Sequence, residues 1–231
     1  MSTPNTWRNL ALLAVTGVPK ENIVYLVLTE FLLKHKHPDT RFNLYPQAWL
    51  KWKPEHEQDQ RAEIPDMLVG NVTPPGVYPP FKIRFGIEVK RALDLMESLP
   101  PPAAIIANPR VRSAFHTLRF QAESQAKAAI KNQLSHTNTV SWILVVGPYW
   151  RHVKFGPFTP SGLSVRALKS SSSADFLATS LESDRVDKQA PPLTTLFLLC
   201  EDESFQRLEG ILRATDTRAK ILSDAYKDTV R

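Results

Sequence analysis

Hydrophobic and polar residues alternate strictly along one ten-residue segment, Phe81–Lys90. Every odd position in it is apolar, and the even positions are Lys82, Arg84, Gly86, Glu88 and Lys90. Alternation with a period of two is typical of a strand with one face in a core and the other presented outward. Because side chains two residues apart project from the same face of a strand, we expect Glu88 and Lys90 to lie side by side.

The patterns elsewhere predict both helices and strands. An apolar segment that opens at Pro19 and runs to about His35 predicts a largely buried helix. Val111–Gln133 has an apolar stripe at helical spacing, and Ser141–Gly147 is a nearly continuous apolar run, typical of a strand buried on both faces. Leu193–Cys200 fits either a late strand or the start of a helix. The other predicted elements are strands at Arg41–Gln47, Ala62–Val69 and Trp150–Phe155, a loop at Ser98–Pro109 and an amphipathic helix at Ser204–Tyr226.

This order of elements predicts an α/β fold in which helices cover a mixed sheet. No linker is long enough to divide the chain, so we expect residues 1–231 to form a single domain. Its core is expected at about residues 19–155, and a helical C-terminal extension at about residues 156–231.

Composition narrows the class of protein only moderately. The chain has 29 basic and 23 acidic residues, a net charge of +6, which slightly favours an anionic partner such as nucleic acid. Cys200 stands alone, so an internal disulfide is excluded, which favours a reducing intracellular compartment, nuclear or cytoplasmic. No apolar stretch approaches the roughly 20 residues that span a bilayer, so no membrane association is expected.

Several familiar chemistries lack their motifs in this sequence. We find no glycine-rich phosphate loop, no nucleophile elbow and no Cys/His cluster. ATPase, serine hydrolase and zinc-finger functions are therefore excluded.

The chemistry that the sequence does favour depends on Asp66. If Asp66 ends a strand beside the predicted strand Phe81–Lys90, two carboxylates and one ammonium group converge on one point. Hard cations such as Mg²⁺ and Mn²⁺ prefer oxygen ligands, and they assist the hydrolysis of phosphodiesters. Asp66 and Glu88 would be the metal ligands, with the backbone carbonyl of Val89 as a third. Lys90 would orient or acidify the attacking water, or offset charge on the phosphoryl group.

These residues also match a family pattern. Pro65-Asp66, followed after twenty-one residues by Glu88-x-Lys90, resembles the motif of the PD-(D/E)xK nuclease superfamily, the fold of restriction endonucleases. The resemblance implies a core made of an opening helix, three antiparallel strands, a helix and a further strand. Residues 19–147 are predicted to supply that order.

The resemblance also implies assisting residues. An acidic residue on the opening helix often assists the metals, and Glu30 occupies the matching position, in line with Ile23 and Val27 and so expected to point toward the core or a cleft lip. A glutamine on the helix after the lysine often contacts substrate or water. Gln121 and Gln125 both fit this role, and Gln125 is favoured.

The leading hypothesis is therefore a nuclease dependent on Mg²⁺ or Mn²⁺, acting on DNA in preference to RNA. The alternative is a catalytically silent protein of the same fold that binds nucleic acid or a protein partner. An interaction domain that forms a homodimer through Ser204–Tyr226 also stays open. Simpler explanations exist for each residue: Glu88 and Lys90 as a solvated pair, Asp66 as a turn residue, and the glutamines as ordinary helix surface.

Overall fold

The computed structural model describes residues 21–34, 42–47, 50–51, 62–73, 75–90, 101–159, 163, 195–199, 201–212 and 214. Its helices are α1 (Glu21–Lys34), α2 (Pro102–Ile105), α3 (Pro109–Lys131) and α4 (residues 202–212). Its strands are β1 (Phe42–Pro46), β2 (Leu50–Lys51), β3 (Ala62–Glu63), β4 (Met67–Val72), β5 (Phe81–Lys90), β6 (Val140–Val146), β7 (Tyr149–Phe155) and β8 (Phe197–Leu198).

Six of these strands form one open mixed sheet in the order β1-β4-β5-β6-β7-β8. Only the β5–β6 pair is parallel, and α3 makes the connection between those two strands. The strands β2 and β3 form a separate two-stranded sheet. The predicted α/β class, a mixed sheet flanked by helices, is confirmed. No helix in the described residues combines the length and the apolar character that crossing a membrane requires.

Helix α3 has clear local reasons to start where it does. The Asn108 side chain accepts hydrogen bonds from the backbone N–H groups of Arg110 and Val111, at 3.0 and 3.3 Å. Pro109 occupies the first helical position, where its missing N–H costs nothing. The predicted helix over this segment is therefore confirmed, with its start at Pro109 and its end at Lys131.

Hydrophobic clusters cover both faces of the six-stranded sheet. The α3-side cluster joins the buried stripe of α3 to one face, and its sheet residues include Leu68, Trp142 and Leu144. The α1-side cluster joins α1 to the other face through Met67, Val69, Phe85, Ile87, Val89 and Ile143. A buried hydrogen bond from the Trp150 indole to the Ser204 hydroxyl ties α4 to β7. The sheet is consequently a middle layer between helices.

Strand β5 departs from its predicted pattern. The expectation that one of its faces points outward is wrong, because all residues from Ile83 to Val89 are buried. Its pairing with β4 shifts at a bulge: Val69 pairs with Phe85, whereas Gly70 pairs with Ile83. Arg84 is the extra residue. Ile83 therefore belongs to the α3-side cluster, and Phe85 belongs to the α1-side cluster.

Other boundaries also differ from prediction. The predicted strand Ala62–Val69 is divided, since Ala62–Glu63 pairs with β2 and β4 begins only at Met67. The predicted loop Ser98–Pro109 contains the short helix α2. Of the two alternatives for Leu193–Cys200, the structure has a strand at Phe197–Leu198. The opening of the first predicted helix at Pro19, the end of the predicted helix Ser204–Tyr226 and Cys200 lie outside the described residues.

Candidate active site

Two carboxyl groups meet where β4 begins and β5 ends. Asp66 directly precedes β4, and the antiparallel pairing of Met67 with Ile87 brings it beside Glu88. The Asp66 backbone N–H donates to Glu88 Oε1 at 3.2 Å, and the Val89 backbone N–H donates to Asp66 Oδ2 at 2.7 Å. Each strand thus supplies a backbone donor to the carboxylate of the other. The sequence predicts Asp66 at a strand end; the structure places it just before a strand start, which antiparallel pairing brings to the same edge.

Glu88 and Lys90 lie on the face of β5 that α3 covers. Glu88 pairs with Leu144 and Lys90 with Val146, and both partners belong to the α3-side cluster. Glu88 is 1% exposed, whereas Lys90 and Asp66 are partly exposed. The backbone carbonyl of Lys90 accepts from Gly147 N–H at 2.9 Å, so the strand is fixed as far as the lysine. The three residues of the motif therefore occupy one corner of the sheet, where Asp66 and Lys90 are partly exposed and Glu88 is buried.

The environment of Glu88 favours its neutral form. Burial and then the charge of Asp66 raise the pKa of Glu88 to about 9. The Asp66 carboxylate adds to this by accepting a hydrogen bond from protonated Glu88, while the Gln125 amide and the Asp66 N–H act in the opposite direction. At neutral pH the buried Glu88 carboxyl is consequently in its protonated form.

Of the two candidate glutamines, only Gln125 reaches the acidic pair. Gln125 is 0% exposed, and its amide lies close enough to Glu88 to favour the ionised carboxylate. Neither Oε1 nor Nε2 of Gln125 completes a hydrogen bond of good geometry within the described part of the chain. Gln121, by contrast, is exposed on the outer side of α3. A buried amide without completed bonds costs free energy, which a ligand at this corner would recover.

Glu30 is not brought to the acidic pair. It is exposed on α1, and α1 packs against the sheet face opposite to Glu88. The charge of Glu30 is not among the causes that shift the pKa of Glu88. The structure thus assembles Asp66, Glu88, Lys90 and Gln125, and leaves Glu30 apart from them.

The enclosure of the site by neighbouring residues is not among the features predicted from the sequence. Gly86 precedes Glu88 on the same face, and the Trp142 ring lies so close to it that a Cβ at position 86 would be 2.1 Å from a ring atom. The ring therefore covers β5 next to Glu88 and helps to exclude water from it. The signal in the sequence is a glycine inside an otherwise regular strand, because such a glycine often marks a close approach.

The donor groups at this corner suit a hard cation. Asp66 and Glu88 offer carboxylate oxygens, Gln125 offers an amide oxygen without a completed bond, and Val89 offers a strand carbonyl. No group of three or more His, Cys, Asp or Glu side chains is placed to hold a metal within the residues described. A cation here would consequently take its other ligands from the amide, the backbone or water, as Mg²⁺ commonly does.

Comparison with known proteins adds no relative. No family model, no curated protein and no solved structure matches this chain.

Proposed function

We propose that the chain is a nuclease that hydrolyses phosphodiester bonds with the help of Mg²⁺ or Mn²⁺, acting on DNA in preference to RNA. Asp66 and Glu88 would hold the metal, together with the Val89 carbonyl. Lys90 and Gln125 would assist the reaction. The single observation that carries the proposal is the pair of hydrogen bonds that joins the two acidic residues, from Asp66 N–H to Glu88 Oε1 and from Val89 N–H to Asp66 Oδ2, with the partly exposed Lys90 two residues beyond Glu88 on the same strand.

The order of elements supports the same proposal. An opening helix α1, the antiparallel strands β1, β4 and β5, then α3 and β6 follow one another along the chain. That is the order implied by the resemblance to the PD-(D/E)xK nucleases. The short β2 and β3, which within the described residues pair with each other and not with the six-stranded sheet, are additions to that order.

The residues of the site would act through charge and position. When bound, the metal supplies charge stabilisation at the phosphoryl oxygens and lowers the pKa of bound water. Glu88 must lose its proton before it can ligate, and the Asp66 N–H and the Gln125 amide favour that ionised form. The Lys90 ammonium, on the same face, would offset the negative charge that develops on the phosphoryl group. The Trp142 ring would limit the access of bulk water.

Cleavage by purified variants tests the proposal directly. Asp66→Asn, Glu88→Gln and Lys90→Ala are each expected to reduce cleavage of plasmid and linear DNA by about 100-fold or more with Mn²⁺ present. Glu203→Gln is the matched control, because Glu203 is an exposed carboxylate in the first turn of α4. Parallel reactions with single-stranded DNA and RNA identify the substrate.

The outcomes separate the candidates. Cleavage that survives unchanged in Asp66→Asn or Lys90→Ala contradicts the proposal. Glu30→Gln is expected to keep its cleavage, because Glu30 is exposed on α1, the helix that packs on the opposite face of the sheet from Glu88. A loss of activity in Glu30→Gln would instead mean that the substrate reaches α1.

A second candidate is a protein of this fold that binds nucleic acid or a protein partner without cutting. The observation that favours it is the burial of Glu88, whose protonated carboxyl is satisfied by Asp66 with no need of a metal. Calorimetric titration with Mn²⁺ distinguishes the two. A nuclease is expected to bind the ion and to lose this binding in Asp66→Asn. The non-cutting protein is expected to show no heat of specific Mn²⁺ binding.

A further inference from the structure

A small basic pocket lies at the other end of the sheet from the acidic pair. It has a volume of about 70 Å³, several times the roughly 10 to 15 Å³ that one water needs. Its walls come from β4, β5, β6 and β7 and from the loop between α3 and β6. The polar side chains that line it include Asn71, Arg84, His136 and Lys154.

Arg84 forms the buried floor of this pocket. It is the bulge residue of β5 and is only 9% exposed. Its Nε donates to the side-chain oxygen of Asn71 at 2.7 Å, so the guanidinium plane is fixed by a neutral amide. Burial lowers the pKa of Arg84 to about 10, and no carboxylate is among the causes to oppose that shift.

His136 and Lys154 complete the set of basic side chains around the cavity. Burial lowers the pKa of His136, and the nearby charges of Lys82 and Arg84 lower it further. Lys82 donates to the Gln133 carbonyl, which holds its charge beside the loop. Lys154 is exposed at the rim. The charges of Lys82 and Arg84 therefore oppose protonation of His136, and no acidic side chain lines the pocket among the described residues.

The loop that carries His136 is held by hydrogen bonds between its own residues. The Ser135 hydroxyl donates to the Thr139 carbonyl at 2.9 Å, and the Thr137 hydroxyl donates to the same carbonyl at 2.9 Å. Ser135 also bridges to Ile83 of β5. These contacts hold the loop against β5 beside the cavity.

This pocket is separate from the acidic pair. Phe85 pairs with Ser141, and Ser141 pairs with Lys154. Paired residues share a face of the sheet, and Phe85 belongs to the α1-side cluster, so Ser141 and Lys154 of the pocket lie on the α1 side. Glu88 lies on the opposite face, with Leu144. Arg84 is also four residues from Glu88, about 13 Å along a strand. A ligand in the pocket would therefore not touch Asp66 or Glu88.

We propose that the pocket formed by Asn71, Arg84, His136 and Lys154 binds a phosphate-sized oxyanion, supplied either by inorganic phosphate or by the phosphate of a nucleotide or nucleic acid strand. A guanidinium group that is already oriented and desolvated binds phosphate oxygens well, and an ammonium group at the rim adds charge. An anion would also offset the charges of Lys82 and Arg84 that oppose protonation of His136. The residues of this pocket are different from those of the proposed cleavage site.

His136 gives a direct readout of binding. Its imidazole resonances are followed by NMR over a range of pH in the full chain, with inorganic phosphate or with chloride at the same ionic strength. Bound phosphate is expected to raise the pKa of His136, because an anion replaces the repulsion by Lys82 and Arg84, and to do so saturably. A shift that chloride produces equally, or none at all, overturns the proposal.

Variants show whether phosphate binds at this pocket, and an exposed position is chosen so that the change does not disturb folding. Arg84→Gln removes the central cation, but Arg84 is buried and bonded to Asn71, so this change threatens the fold. Lys154→Ala alters an exposed residue and is expected to weaken phosphate binding roughly three- to tenfold. Arg110→Ala removes the same charge from an exposed position on α3 and should leave binding unchanged. Equal affinities in Lys154→Ala and Arg110→Ala contradict the assignment.

Two further arms identify the source of the phosphate. A short oligonucleotide carrying a 5′-phosphate is compared with the same oligonucleotide carrying a 5′-hydroxyl. Tighter binding of the first means that the pocket takes a terminal phosphate, and equal binding means a backbone phosphodiester. Binding of inorganic phosphate alone means a small-ion site. Each of these outcomes supports an oxyanion pocket, and failure of all three probes overturns it.

Discussion

At the scale of single residues, Glu88 links pH to stability. A carboxyl whose pKa is raised on folding binds its proton more tightly than the unfolded chain does. Glu88 therefore contributes most below its ordinary pKa of 4.5, and this contribution is lost as pH rises toward about 9. Because an amide has no charge to bury, we expect Glu88→Gln to raise the free energy of unfolding at mildly alkaline pH by about 1 to 3 kcal/mol. Urea unfolding over this pH range measures the effect.

The control for this prediction is Glu203→Gln. Glu203 is exposed, so its replacement should leave the pH dependence of unfolding as it is in the unaltered chain. A Glu88→Gln variant with the same pH dependence as the unaltered chain would mean that the carboxyl is already ionised in the folded protein.

Individual site residues differ in how far the sequence could predict them. The shared face of Glu88 and Lys90 follows from their spacing alone. The preference for Gln125 over Gln121 agrees with the structure, in which Gln125 belongs to the buried stripe of α3. Arg84 could not be singled out, because the strict alternation of the sequence gives no sign of the bulge at which Arg84 lines a pocket. His136 lies in a loop, where no periodic pattern exists from which to predict the direction of its side chain.

At the scale of elements, two glycines predict opposite responses to alanine. A Cβ at Gly86 would meet the Trp142 ring at 2.1 Å, so Gly86→Ala must displace either β6 or the ring. We expect it to lower the free energy of unfolding by about 1 to 3 kcal/mol or more. A Cβ added at Gly210 in α4 would have nothing within 4 Å, and Gly210→Ala should stabilise the helix by about 0.5 to 1 kcal/mol.

Thermal or urea unfolding of the two glycine variants checks this prediction. The pair share the same chemical change, so a difference in sign isolates the effect of the surroundings. An equal decrease in the free energy of unfolding in both variants would contradict the prediction. It would mean that the Trp142 ring moves aside easily and that alanine destabilises α4 for a reason other than helix propensity.

Elements with a strong period were predictable and short ones were not. The long stripe of α3 and the apolar run of β6 each identify one element, because burial on one or both faces repeats along many residues. The two-residue strands β2 and β3 have no period to detect, and they exist only because they pair with each other. Their pairing also explains why β4 starts at Met67 and leaves Asp66 just before the strand.

At the scale of the whole molecule, the two candidate sites occupy opposite faces and opposite ends of β5. The acidic pair lies beneath α3, and the basic pocket lies on the α1 side. The interior of the sheet keeps the two sets of charges apart, so each site can be altered without direct contact with the other. The sheet is open, because no strand pairing among the described residues closes it.

This separation makes metal binding a clean test of the acidic pair. A metal bound only by the folded chain raises the unfolding temperature, and it must displace the proton that Glu88 holds below about pH 9. We therefore expect Mn²⁺ to raise the unfolding temperature more as pH increases from neutral toward 9, and calorimetry in buffers of different ionisation enthalpy to detect about one proton released per ion. Glu88→Gln should lose the stabilisation, while Lys154→Ala, altered in the distant pocket, should keep it. If the rise in unfolding temperature does not depend on pH, or if it persists in Glu88→Gln, the ion binds elsewhere in the chain. The reason is that a ligand that needs no deprotonation cannot be this carboxyl group.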